Sequence, residues 1–69
     1  MELTINGESR SLTEGSSVND LLASIAIDPD EAQGIAVAVN EIIVRRNDWY
    51  SMILSTGDRV EVVTEQQGG

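Results

Sequence analysis

Polar and apolar positions alternate through Glu2-Leu3-Thr4-Ile5, the period of two that marks a half-buried strand. Asn6-Gly7 follows. That dipeptide favours a two-residue type I′ turn, because both central residues need φ > 0. Glu8 to Leu12 then runs back, with Glu8, Arg10 and Leu12 alternating against Ser9 and Ser11. Met1 to Thr13 therefore predicts a β-hairpin whose returning strand is a polar edge, where charge discourages pairing with another sheet. After Gly15-Ser16 the period changes. Val18, Leu21, Leu22 and Ile25 stand at i, i+3, i+4 and i+7, one apolar stripe of a helix that faces the core. Ser17 is its predicted N-cap, with Asp20 three residues on in capping-box position. Asp28-Pro29 marks its predicted end, roughly ten residues from the start, because the residue before proline disfavours helix.

Gly34 launches Ile35-Ala36-Val37-Ala38-Val39, which reads as the central strand. Its β-branched residues point to one side, toward the helix, and Ala36 and Ala38 leave a low, smooth surface on the other. Asn40-Glu41 is a second turn, weaker than Asn-Gly because Glu tolerates positive φ poorly. Ile42-Ile43-Val44 is the next strand. Asn47 and Asp48 are turn formers, so a short helical turn is expected to carry Trp49 inward as a lid on the core. Ser55-Thr56-Gly57-Asp58 is a turn, and Arg59 to Thr64 is the last strand, with Val60 and Val62 on one face and Arg59, Glu61 and Val63 on the other.

The elements together predict an α+β domain, a mixed four- to five-stranded sheet with one helix packed on one face. The helix supplies a crossover, so the first and last strands can pair in parallel at the centre. The expected core sets Val18, Leu21, Leu22 and Ile25 against Leu3, Ile5, Val37, Val39 and Val62. At 69 residues the chain is one domain, with residues 1–65 expected to fold and residues 66–69 expected to form a flexible tail.

Composition narrows the chemistry. The chain has no Cys and no His, so no thiolate or imidazole can serve as nucleophile, general base or metal ligand. No metal site is expected: Asp28, Asp30 and Glu31 lack the Gly and the terminal Glu of a calcium loop. With twelve acidic residues against four basic ones, the net charge is −8. Such a domain repels phosphate backbones, and nucleic-acid binding is not expected; it is steered toward basic protein surfaces instead. No apolar run approaches 18 residues and no charged-then-apolar leader opens the chain, so the expectation is a cytoplasmic protein with no membrane partner.

The chain ends in Gln66-Gln67-Gly68-Gly69. Two glycines can thread a narrow channel and adopt any φ/ψ there. The reactive group of such a tail is the α-carboxylate of Gly69, with Gly68 and Gln67 as the residues a partner would recognise. A frayed, inert end is the alternative. The partner surface is expected on the sheet face away from the helix, at Ala36, Ala38, Glu61 and Val63, with an ordinary solvated face as the alternative.

Asn6-Gly7-Glu8, Leu21-Leu22, Ala36-Val37-Ala38-Val39-Asn40, Arg46, Trp49, Leu54, Gly57-Asp58-Arg59-Val60-Glu61-Val62 and Gln67-Gly68-Gly69 together carry a resemblance over nearly the whole length. The chain resembles the sulfur carrier proteins of thiamine biosynthesis, the ThiS family, which are ubiquitin-like β-grasp domains ending in Gly-Gly. It departs from that pattern at Arg45, where the family often has Pro, and at Glu41, where Gly is common. The resemblance implies a carrier rather than an enzyme. An E1-like adenylyltransferase would adenylate the Gly69 carboxylate with ATP, a persulfide sulfur donor would convert it to a thiocarboxylate, and thiazole synthase would take the sulfur. ATP would be used by the activating partner, with no cofactor bound to the carrier. The molybdopterin synthase small subunit, also β-grasp and ending in Gly-Gly, is an alternative. It ranks lower because that family is longer and approaches its diglycine through more apolar residues than Thr64-Glu65-Gln66-Gln67. A ubiquitin-like protein modifier uses the same tail chemistry, and a plain interaction domain with an inert tail is a third possibility.

Overall fold

The computed structural model describes residues 1–29 and 34–64. Asp30 and Glu31 of the acidic loop, the boundary at 65–66, and the tail residues Gln67, Gly68 and Gly69 lie outside the described residues. Among the described residues, five strands and one helix form in the order β1 (Glu2–Ile5), β2 (Glu8–Ser11), α1 (Val18–Ser24), β3 (Ile35–Val39), β4 (Ile42–Val44) and β5 (Arg59–Thr64). A 3-10 turn at Arg46–Asp48 follows β4. The strands lie side by side as β2-β1-β5-β3-β4. β1 and β5 are parallel, through Thr4↔Arg59 and Ile5↔Val60, and the other pairs are antiparallel. No helix among the described residues is long and apolar enough to cross a membrane.

The hairpin expectation holds in register. Ile5 pairs with Glu8 around Asn6 and Gly7, whose φ values are 52° and 84°, as a type I′ turn requires. β2 is the sheet edge and all four of its residues are exposed. The lateral position of Ile35–Val39 differs from expectation. The strand is interior, but β5 holds the middle of the sheet and β3 lies beside it. The parallel β1–β5 pair decides this, because it brings β5 between the two hairpins.

Helix α1 starts as its sequence predicts. Asp20 donates its backbone N–H to the Ser17 hydroxyl at 3.2 Å, and its carboxylate accepts from the Ser17 backbone N–H at 2.9 Å. It ends earlier than Asp28-Pro29 suggests. The last helical residue is Ser24, and Ala26 takes φ 65°. The N–H of Ala26 donates to the carbonyl of Ala23 at 3.1 Å and that of Ile27 to Leu22 at 2.9 Å. These two bonds form a Schellman motif, with Ala in the left-handed position where Gly is the usual choice.

The core sits between α1 and one face of the sheet. It comprises Leu3, Ile5, Val18, Leu21, Leu22, Val37, Val39, Val44, Trp49, Leu54, Val60 and Val62, with Ile25 and Ile35 partly buried against it. Trp49 is turned inward by the 3-10 turn, and its indole N–H donates to the Val44 carbonyl at 2.9 Å, satisfying the polar end of a buried ring. The segment after it has no periodic pattern, and its path cannot be read from sequence. It straps the start of the helix: Val18 N–H donates to Met52 at 3.0 Å, Asn19 N–H to Trp49 at 3.2 Å, and Leu54 N–H to Ser16 at 2.8 Å. Together with the reciprocal Ser17–Asp20 cap, the Val18 and Asn19 bonds satisfy the amides that an α-helix start leaves without partners, and the Leu54 bond ties the strap to the residue before the cap.

Two measurements test this packing. Leu22 is fully buried, and Leu22→Ala is expected to cost about 2–5 kcal/mol in denaturant unfolding, comparable to the whole stability of a core this small. Glu41 and Ala26 hold φ of 71° and 65°. Glu41→Gly and Ala26→Gly are each expected to raise stability by about 0.5–1 kcal/mol, because the left-handed strain removed exceeds the chain entropy that glycine adds. Thermal melts check the sign.

Candidate functional site

The cross-strand register brings the predicted surface residues together. Ala36 stands opposite Val63 and Ala38 opposite Glu61; such partners share one face of an antiparallel pair. That face is the one turned away from α1, since Val37, Val39, Val60 and Val62 are buried on the other. Ala36, Glu61 and Val63 are exposed and Ala38 is half-buried. A shallow hollow lined by Gly34, Ile35, Ala36 and Val63 lies beside the end of β5.

The open face contains one more apolar side chain that sequence reasoning left out. Ile43 pairs with Ala38 and is 66% exposed. The signal was present in the alternation of Ile42-Ile43-Val44. Once Val44 is inside, its neighbour must face out. Ala36 and Val63 are the apolar pair where β5 runs out, and Ile43 and Ala38 lie in the next row of that face, beside Glu61. The face becomes charged from that row toward the start of β5. Arg59 reaches Glu41 at 3.3 Å, with Glu61 two positions along the same strand. Both partners of that pair are well exposed, so it orients the two side chains without contributing much stability.

Two asparagines hold β5 from the hairpin turns. At its start, the Arg59 N–H donates to Asn40 Oδ1 at 2.9 Å, and Asn40 Nδ2 donates to Asp58 Oδ1 at 3.0 Å. The Asn40 backbone N–H also donates to the Arg59 carbonyl at 2.7 Å. Nearer its end, the Val62 N–H donates to Asn6 Oδ1 at 2.8 Å, and Asn6 Nδ2 donates to the Val62 carbonyl at 3.2 Å. The backbone dictates this amide orientation, since an N–H needs an acceptor and a carbonyl a donor. Sequence reasoning assigned both asparagines to turns alone.

A five-stranded mixed sheet with parallel first and last strands in contact, covered on one face by a single helix, is the ubiquitin-like β-grasp, here with an apolar open face at the root of a C-terminal segment. Solved structures of the same fold resemble it along its whole length. The crystal structure of a thiamine biosynthesis protein (ThiS) from Geobacter metallireducens superimposes with a TM-score of 0.81 at 27% identity, covering all of both chains. A solution structure of a thiamine biosynthesis protein from the same organism gives 0.79 at 27% identity, covering all of this chain and 88% of that one. The family model described as the ThiS family matches residues 3–69. The chain belongs to the ThiS family, a family of small carrier proteins. A thiazole synthase of Paramagnetospirillum magneticum is 32% identical over 69 residues; the match takes in all of this chain and spans 20% of that protein's length.

The open face makes no demand on the fold. Ile43→Ser and Val63→Ser are each expected to change unfolding free energy by no more than about 0.5 kcal/mol, as for surface substitutions generally. A larger loss in urea titrations would show that these side chains pack against the domain itself.

Proposed function

We propose that this chain is a sulfur carrier for thiazole formation and that the carboxylate of Gly69 is the group that carries the sulfur. The observation that bears most weight is the reach of the family match, which runs through the diglycine to residue 69. Likeness over full length to proteins named for thiamine biosynthesis supports the pathway. The thiazole synthase that contains a segment similar to this chain supports that enzyme as the sulfur acceptor.

The chemistry suits a domain without Cys or His. A carboxylate is a poor electrophile because its charge repels a nucleophile. An E1-like adenylyltransferase joins the Gly69 oxygen to the α-phosphorus of ATP and releases pyrophosphate. The acyl adenylate has lost the repelling charge and has a good leaving group. The terminal sulfur of a persulfide attacks the carbonyl and AMP departs. A second thiol then cleaves the sulfur–sulfur bond and leaves the thiocarboxylate. Every catalytic group belongs to a partner, and the carrier contributes binding and positioning, which turn an encounter between molecules into a local step. Gly68 and Gln67 are the residues the partner's channel reads. The open face with Ala36, Ala38, Ile43 and Val63 docks the body of the domain, and Glu61 faces a basic rim, in keeping with the net charge of −8.

Incubation with ATP, a persulfide donor and the activating enzyme should replace one oxygen by one sulfur in the intact mass. Deleting Gly69 should abolish that change while circular dichroism stays the same. The deletion draws the carboxylate back by about 3.5 Å along an extended chain, and a misplacement of roughly 1 Å can already cost about a hundredfold in rate. Adenylation of the truncated chain at the parent rate, read by ATP–pyrophosphate exchange, would overturn the assignment of Gly69. Mass added to other proteins in place of sulfur on this one would point to a protein modifier.

A further inference from the structure

We propose that Asn6 is a positioning residue for the C-terminal group: its side-chain amide stands in for a missing strand beside Val62 and steadies the end of β5, from which the C-terminal residues continue. This rests on the reading that Gly69 is the reacting terminus.

β1 covers one flank of β5 for two register pairs only, Thr4↔Arg59 and Ile5↔Val60. The chain then turns away at Asn6 and Gly7. On the other flank, β3 accompanies β5 as far as Ile35↔Thr64. From Val62 onward β5 would be held on one side alone. The Asn6 amide offers the same donor and acceptor as a peptide group, and it meets both backbone groups of Val62, across 56 positions of sequence. The Asn6 backbone N–H donates to the Val60 carbonyl at 2.8 Å, so the side chain continues the ladder that its own backbone ends.

The turn does not require this. A type I′ turn accepts Gly or Asp at its first central position as well as Asn, and neither of those can both donate to the Val62 carbonyl and accept from its N–H. With the clamp closed, the span from Val62 to Gly69 is seven residues (69 − 62). With it open, the strand can loosen back toward Val60. More backbone must then lose its freedom before the carboxylate reaches the partner's reaction centre. Ala36, Ala38 and Ile43 of the docking face stand on β3 and β4 and keep their places. The defect therefore falls on the rate within the complex and not on affinity.

The test compares Asn6→Gly, Asn6→Asp and Ile5→Val with the parent chain. Ile5→Val trims a neighbouring buried side chain and leaves the clamp in place, and it controls for lost stability. In 15N relaxation, Asn6→Gly should lower the order parameters of Val62, Val63 and Thr64 from about 0.85 toward 0.6 while the rest of the sheet stays rigid. Amide exchange at Val62 should quicken. In adenylation by the E1-like enzyme, kcat should fall about tenfold, the equivalent of one further residue to be ordered, with KM changed less than twofold. Asn6→Asp keeps the acceptor for the Val62 N–H and loses the donor, so its values should lie between, and it carries the test if Asn6→Gly does not fold. Ile5→Val should keep the parent kcat per folded molecule. Parent kcat in an Asn6 variant whose order parameters have dropped, unchanged order parameters in both Asn6 variants, or an equal loss of kcat in Ile5→Val overturns the proposal and leaves the carrier reading standing. Failure of the parent chain to be adenylated overturns the carrier reading and this proposal with it.

Discussion

β5 is held by backbone from opposite ends of the sequence. Thr4 and Ile5 pair with Arg59 and Val60 in parallel on one flank, and Ile35 to Val39 pair with Val60 to Thr64 on the other. The rest of the structure depends on this double pairing. A parallel neighbour cannot be reached by a tight turn, so the chain must cross over between β1 and β5, and α1 lies in that crossover. The helix buries Val18, Leu21 and Leu22 on the same sheet face where Val60 and Val62 are buried. The two hairpins flank β5, one on each side. The strand that precedes the C-terminal residues is thereby paired on both flanks.

A helix of seven residues is short of the length at which helices persist alone in water. It survives by borrowing partners for its first turn. Ser17 and Asp20 cap each other, and the carbonyls of Trp49 and Met52 receive the amides of Asn19 and Val18. Trp49 thus has two jobs. Its ring fills the core beside Val44, and its backbone anchors the helix start. The guanidinium of Arg46 lies 5.8 Å from the ring centroid, a cation–π distance, and covers the ring from the solvent side of the 3-10 turn.

Local features of the fold were legible in the sequence because they depend on residues close together. Alternation marked β1 and β5, Asn6-Gly7 marked the first turn, and Ser17 with Asp20 marked the start of α1. Lateral order was harder to read. The β-branched run Ile35–Val39 suggests a central strand, yet nothing in a strand's own composition says which neighbour lies on each side. The end of α1 was missed because Ala26 occupies a position that Gly would have flagged. The strap through Met52 and Leu54 was missed because it pairs through a single bridge, Ser17↔Ile53, with no period to detect. At the site, alternation placed Ala36, Ala38, Glu61 and Val63 on the open face and could have placed Ile43. The second role of Asn6 was invisible, since its partner is 56 positions away.

The parallel arrangement of β1 and β5 also has a mechanical meaning. Tension applied to β5 from its C-terminal end acts along the axis of the strand. Hydrogen bonds between strands run across that axis, so the bonds to β1, to β3 and to the Asn6 amide are strained in shear and share the tension. A terminal strand at the sheet edge could instead peel away one bond at a time. Because β5 lies in the middle of the sheet, a pull on that strand loads both flanks at once and leaves no free edge from which to unzip it.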